Sequence, residues 1–260
     1  MYAGVPGRGA SDASYATAVD MEYYRCCGHR ITGGVADIFK CFDQLVRRLV
    51  FELMRLAGMP LRILHPYADF LTGLIVYNGL VGCLGQPHKR KCGIPQGCPL
   101  SMMVIGILMI AWITIAKSMQ LQPRVLADDI LIFAHGANHL RMFQLGFELT
   151  LDYIADLGGK TAPKKSIAFS THPAARHWLR NHVWDTIHTR VKVALHVRDL
   201  GAHFNISGKA QGGTFTARLK RGAVMAKTVA RLPTTLIPCM ATRSSQYISF
   251  FGSPLGPPCS

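Results

Sequence analysis

Acidic residues are scarce in this chain, 14 Asp and Glu against 29 Lys and Arg in 260 residues, so their placement is informative. Asp128 and Asp129 interrupt an otherwise apolar stretch over residues 125–134. Adjacent carboxylates in apolar surroundings repel each other and lose hydration, which raises the cost of ionising both. A divalent cation removes that cost. Magnesium favours one or two carboxylates completed by substrate phosphates, and paired ions serve in-line phosphoryl transfer. A site of this kind needs a further carboxylate from another element. Asp37, at the end of an apolar run that opens onto a helical pattern, is the natural candidate. The plainer alternative is a solvated turn at Asp128-Asp129 and a helix cap at Asp37. Three acids at the ends of apolar strands weigh toward the metal.

The elements that must position these acids follow from periodicity. Residues 35–39 read as a short strand. An amphipathic helix follows, with Phe42, Leu45, Val46, Leu49, Val50 and Leu53 on one face and Arg47, Arg48, Glu52 and Arg55 on the other, ended by Gly58 and Pro60. A second helix spans about residues 62–72. It leads to a strand near 74–77, with Asn78-Gly79 as a hairpin turn. Residues 85–99 form a loop rich in Gly, Pro and basic side chains. Residues 100–116 are nearly all apolar; Pro95, Gln96 and Pro99 stop the run on one side and Lys117 on the other. The segment reads as a core helix, at the lower edge of the length a membrane span requires.

Residues 125–134 then read as a hairpin with a carboxylate tip. Leu140, Phe143, Phe147, Leu151 and Ile154 form one helical stripe, stopped by Gly158-Gly159. Weaker strands are expected at 167–170, 191–195 and 199–204, a basic helix at 214–232, and a loose tail at 253–260. Residues 1–31 form a lead-in of little periodicity. Together these predict an α+β fold, with helices on one face of a largely antiparallel sheet.

Charge divides the chain. Up to residue 157 there are 14 basic and 12 acidic residues; from 158 onward there are 15 and 2. A basic half joined to a balanced half fits a polyanionic partner. The eight cysteines form no Cys-x-x-Cys pair, and the first residues show no secretory pattern, which predicts an intracellular, reduced protein. His135 and His139 stand at i,i+4 without the glutamate of a zinc-protease helix, so surface or core histidines are expected.

Three segments resemble a known family. Asp37-Ile-Phe-Lys-Cys-Phe-Asp43, Gly93-Ile-Pro-Gln-Gly-Cys-Pro-Leu-Ser-Met102 and Leu126-Ala-Asp-Asp129 are similar, in order and separation, to motifs A, B and C of reverse transcriptases. The resemblance is to the type found in non-LTR retrotransposons and group II introns. Residues 158–166 resemble motif D and residues 197–201 motif E. Leu126 stands where the family usually has an aromatic residue, and Ala162 where motif D usually has asparagine.

The resemblance implies a polymerase palm over residues 32–205, preceded by partial fingers and followed by a basic thumb-like segment over 206–260. It implies an RNA-directed DNA polymerase with RNA template, DNA primer and deoxynucleoside triphosphates as partners and no membrane. Asp37 and Asp128 would hold two magnesium ions, for which manganese can substitute, and Asp129 would assist. Phe42 would exclude a 2′-hydroxyl. Gly93, Pro95, Gln96 and Gly97 would line the template and nucleotide pocket, and Lys165 would approach the leaving phosphates. Three rivals stand beside this reading: an RNA-dependent RNA polymerase, a non-catalytic nucleic-acid-binding relic, and a protein spanning a membrane at 100–116.

Overall fold

The computed structural model describes residues 7–80, 83–199, 202–206 and 213–229. The chain divides into two compact units, Met1–Gly208 and Lys209–Ser260. The first contains helices α1 (Ala10–Cys26), α2 (Cys41–Gln44), α3 (Arg47–Leu56), α4 (Leu61–Gly73), α5 (Pro99–Ser118), α6 (His139–Asp156) and α7 (Pro173–Asn181). Its strands are β1 (Ile31–Phe39), β2 (Ile75–Val76), β3 (Gly79–Leu80), β4 (Cys83–Leu84), β5 (His88–Lys89), β6 (Gln122–Leu126), β7 (Asp129–His135), β8 (Lys160–Thr161), β9 (Ile167–Ser170), β10 (Lys192–Val193), β11 (His196–Asp199) and β12 (Ala202–Asn205). The second unit's described part is one helix, α8 (Gly213–Val229), which presents Lys220, Arg221 and Lys227 to solvent. The tail expected at 253–260 lies outside the described residues.

The fold is mixed α and β, built on a six-stranded sheet in the order β10-β9-β1-β7-β6, with β8 paired to the far end of β1. Among the described strands only the β10–β9 pairing is parallel. Period-two alternation sends neighbouring residues of β1 and β7 to opposite faces. Ala36, Ile130, Ile132 and Ala134 join the main core with Val50, Leu71, Trp112 and Phe147 from the helices. Ile31, Val35, Leu131 and Phe133 join a smaller core with Met21, Val197 and Phe204. Helix α1 and the β11–β12 hairpin therefore cover the second face, which corrects the expectation of helices on one face only. A Cβ on Gly33 would fall 2.5 Å from the Phe169 ring, and one on Gly34 would fall 2.9 Å from Phe143. Paired glycines let aromatic rings press on β1 from both sides.

Two helices absent from the sequence reading have weak apolar signals. Helix α1 buries Ala13, Thr17 and Met21, a correct four-residue stripe of mostly small or polar residues. Helix α7 buries only Ala175 and Leu179. The hairpin expected at Asn78-Gly79 is also corrected: Gly79 begins β3, whose partner is β4, while β2 pairs with β5. Helix α5 begins at Pro99, with proline in its first turn. By length and composition it could cross a membrane. It buries Val104, Leu108, Trp112 and Ala116 in the main core and exposes Met103, Ile110 and Ile115.

Candidate active site

The acidic tip is built by the β6–β7 hairpin. Leu126 pairs with Asp129 across a two-residue turn of Ala127 and Asp128. Ala127 adopts φ +56°, a left-handed conformation uncommon for a residue with a Cβ. On the other side β7 pairs with β1, and Asp129 stands directly across from Asp37. Cross-strand partners share a face, so both carboxylates project on the side of Val35 and Leu131. The resemblance ranks Asp128 above Asp129. Asp128 instead occupies the turn, outside the strand alternation, and Asp129 is the register partner of Asp37.

The electrostatics tie the three acids together. Burial, then the charges of Asp128 and Asp37, hold the Asp129 carboxyl above the usual carboxylate range, with Lys165 opposing. Burial, and then Asp128, push the buried Cys41 thiol up to about 12, so Asp128 also faces the start of α2. Asp37 Oδ1 is buried without a hydrogen-bond partner. Its nearest cation is Lys165 Nζ, 3.6 Å away. Among the described residues it is the one carboxylate oxygen in this condition.

Lys165 reaches this point because its loop is fastened to β1. The Asp37 amide donates to Ser166 Oγ at 3.2 Å, and the Asp37 carbonyl accepts the Ala162 amide at 2.8 Å. Ala162 in turn accepts from Ser166 Oγ at 3.0 Å. Gln44 fixes the same end, donating Nε2–H to the Phe39 carbonyl at 2.6 Å and accepting the Lys160 amide at 2.7 Å. Neither Gln44 nor Ser166 stands out in the sequence, since single polar residues beside a motif carry no periodic or spacing signal.

The 93–97 loop is strapped to the segment that follows β1. The Gly93 amide donates to Leu45 at 2.8 Å and the Ile94 amide donates to Phe42 at 2.7 Å. Gly93 has φ +80°, and a Cβ there would lie 2.6 Å from the Asp43 carbonyl oxygen. Only glycine fits both the conformation and the contact. Ser101 Oγ holds the other end, donating to the Pro95 carbonyl at 2.7 Å. Gln96 and Gly97 are exposed, Pro95 is half-buried, and the half-buried Phe42 packs on the main core. A cavity of about 400 Å³ opens between Asp43, Arg47, Arg90 and residues 93–96.

One sequence expectation fails here. The amphipathic helix expected from residue 42 onward breaks at Leu45 and Val46, which are extended with ψ 131° and 107°. The break rotates the following helix so that Arg47 points inward, 9% exposed, while Val46 is left outside. In the basic loop of residues 85–99, Arg90 ion-pairs with Asp43.

Among the described residues, no three His, Cys, Asp or Glu side chains form a ready-made metal cage. The donor set still fits magnesium, which takes few protein carboxylates and completes its shell with water and phosphate oxygens. The Asp37 oxygen without a hydrogen-bond partner and the raised Asp129 carboxyl are the features of this donor set that a cation would relieve. His135 and His139 do not form a pair. His135 ends β7 with Nδ1 3.2 Å from that of His29, and His139 is buried at the start of α6. Compared with models of protein families the chain matches none, and no curated protein matches it.

Proposed function

We propose that this chain is a template-directed nucleotidyl transferase of the reverse-transcriptase class. The reading is carried by the pairing of Asp37 with Asp129 beside Asp128, three carboxylates with one buried oxygen that has no hydrogen-bond partner. It is supported by the 93–97 loop strapped to the segment after Asp37, and by the order of the three motif-like segments. The packing of α5 and α6 on one face of the sheet, with the acids toward the other, supports this reading.

In this reading Asp37, Asp128 and Asp129 hold two magnesium ions, or manganese in their place. Such ions supply Lewis acidity toward phosphoryl oxygens and lower the pKa of a bound hydroxyl. Lys165, 3.6 Å from Asp37, would turn its charge to the triphosphate, where positive charge opposes the charge that develops. Gly93, Pro95, Gln96 and Gly97 would border the nucleotide and template, and Phe42 would limit the sugar. The exposed cations of α8 suit the phosphates of a primer–template duplex.

The test is primer extension on an RNA template with deoxynucleotides and magnesium, with Asp128→Asn beside the unchanged protein. Extension by the unchanged protein, lost in the variant, is the expected result. If neither extends a primer, and both bind nucleic acid through the basic C-terminal half, the binding relic replaces the polymerase.

A further inference from the structure

Arg47 has no evident reason to be buried. Removing a guanidinium from water is unfavourable unless its donors are met, and an apolar side chain of similar volume often serves stability better. Among the described residues Arg47 makes no ion pair; the neighbouring carboxylate, Asp43, is taken by Arg90. Its donors go to three backbone carbonyls instead. Nε–H donates to Gly93 at 2.8 Å, and Nη1–H donates to Leu71 at 2.5 Å and Arg90 at 2.8 Å. Leu71 lies in the last turn of α4, where carbonyls lack helical partners. Arg90 and Gly93 flank the cavity that Pro95 and Gln96 also line. A planar fork with fixed donor directions can hold three such carbonyls; an ammonium on a flexible stem cannot hold the same set.

We infer that Arg47 is a positioning residue, whose guanidinium ties the loop of residues 90–97 to the end of α4 and so sets where Pro95 and Gln96 meet a bound nucleotide. The nucleotide part of this inference rests on the function proposed above. The tether itself does not.

The experiment uses the full chain with Arg47→Met and Arg47→Lys. Amide hydrogen exchange reads the loop without reference to activity. Arg47→Met is expected to raise exchange at Gly93 and Ile94 by about tenfold or more while β1 and β7 stay protected, because buried carbonyls lose their donors. Arg47→Lys keeps the charge but not the fork, and is expected to give a smaller rise confined to the same loop. It answers the question if the methionine protein does not fold. Binding of a fluorescently labelled deoxynucleoside triphosphate with magnesium is then measured. Affinity is expected to fall about tenfold for Arg47→Met, and in turnover KM should rise while kcat changes little.

Unchanged exchange in the loop overturns the inference, as does loosening that spreads equally into the sheet. A loosened loop with unchanged nucleotide affinity overturns it too. If the unchanged protein binds no nucleotide, the proposed function fails instead, and the exchange pattern alone decides the tether.

Discussion

The two ends of β1 treat buried polar groups in opposite ways. At the start of the strand every group is used. His139 Nδ1–H donates to Thr32 Oγ1 at 2.6 Å, Thr32 donates to Ser170 Oγ at 2.8 Å, and Ser170 donates to the Ile31 carbonyl at 2.9 Å. The His172 amide adds a fourth bond, to Ser170 Oγ at 3.1 Å. Five residues on, Asp37 keeps a buried oxygen without a hydrogen-bond partner, 3.6 Å from Lys165 and opposite a second carboxylate. The first end is fully buried, whereas the Asp37 side chain and Asp129 are half-buried. A closed relay is complete in itself and locks β1 to β9 and α6. The open end leaves a carboxylate oxygen without a hydrogen bond, the kind of arrangement that marks a candidate functional site.

The sharpest way to break this contrast is a pair of substitutions. Asp37→Asn is expected to lower nucleotidyl transfer about a thousandfold, a loss of the size seen when transition-state electrostatics are removed. Its melting temperature should stay within about 1 °C, since the lost attraction to Lys165 is offset by lost repulsion with Asp129. Thr32→Val is expected to do the reverse, destabilising the fold by about 1–3 kcal/mol through unmet partners while leaving turnover per folded molecule intact. Denaturant melts and single-turnover assays on both proteins decide the matter. A large stability loss for Asp37→Asn with little change in activity would make the two ends alike.

The closed end should also answer to pH. Burial, with His172 and Arg30 nearby, pulls the His139 imidazole down to about 4 from its ordinary value of 6.5. A histidine buried neutral binds its proton less tightly when folded. Its contribution is therefore fully present above pH 6.5 and is lost as pH falls toward 4, amounting to about 3 kcal/mol at most. His139→Gln keeps an amide for Thr32 and is expected to flatten stability over this window, measured by urea unfolding at pH 7, 5.5 and 4. An unchanged slope would mean that other groups carry the acid sensitivity.

How much of this was legible in the sequence follows from what each residue broadcasts. The β6–β7 hairpin and the stripe Phe143, Phe147, Leu151 and Ile154 were readable because apolar period and carboxylate placement act locally. Helix α1 was not, because it buries Thr17 and Ala13, which mark no stripe. The inward turn of Arg47 was hidden for a different reason. It follows from two extended residues, Leu45 and Val46, and apolar residues with helical spacing give no warning of a break. At the site, Asp37, Asp128 and Asp129 were recognisable by chemistry. Their register was not, because pairing is set by long-range contacts of β1 with β7.

The smallest expected effect tests the open end from within. Asp129 holds its proton more tightly in the fold than in the unfolded chain, because burial, Asp128 and Asp37 all disfavour its charge. Ionisation therefore subtracts stability above the folded pKa, and that loss fades as pH falls to the ordinary carboxylate value of 3.8. Asp129→Asn, measured without divalent ions, should melt about 1–2 °C above the unchanged protein at pH 7, a margin kept small by partial exposure. The difference should vanish near pH 4. Under the proposed function magnesium would act on the same penalty from the other side: it should raise the melting temperature of the unchanged protein at pH 7 and raise that of Asp129→Asn less, because one of the repelling charges is already gone. A magnesium response of equal size in both proteins would leave Asp129 outside the ion's field and reduce the open end to Asp37 and Asp128.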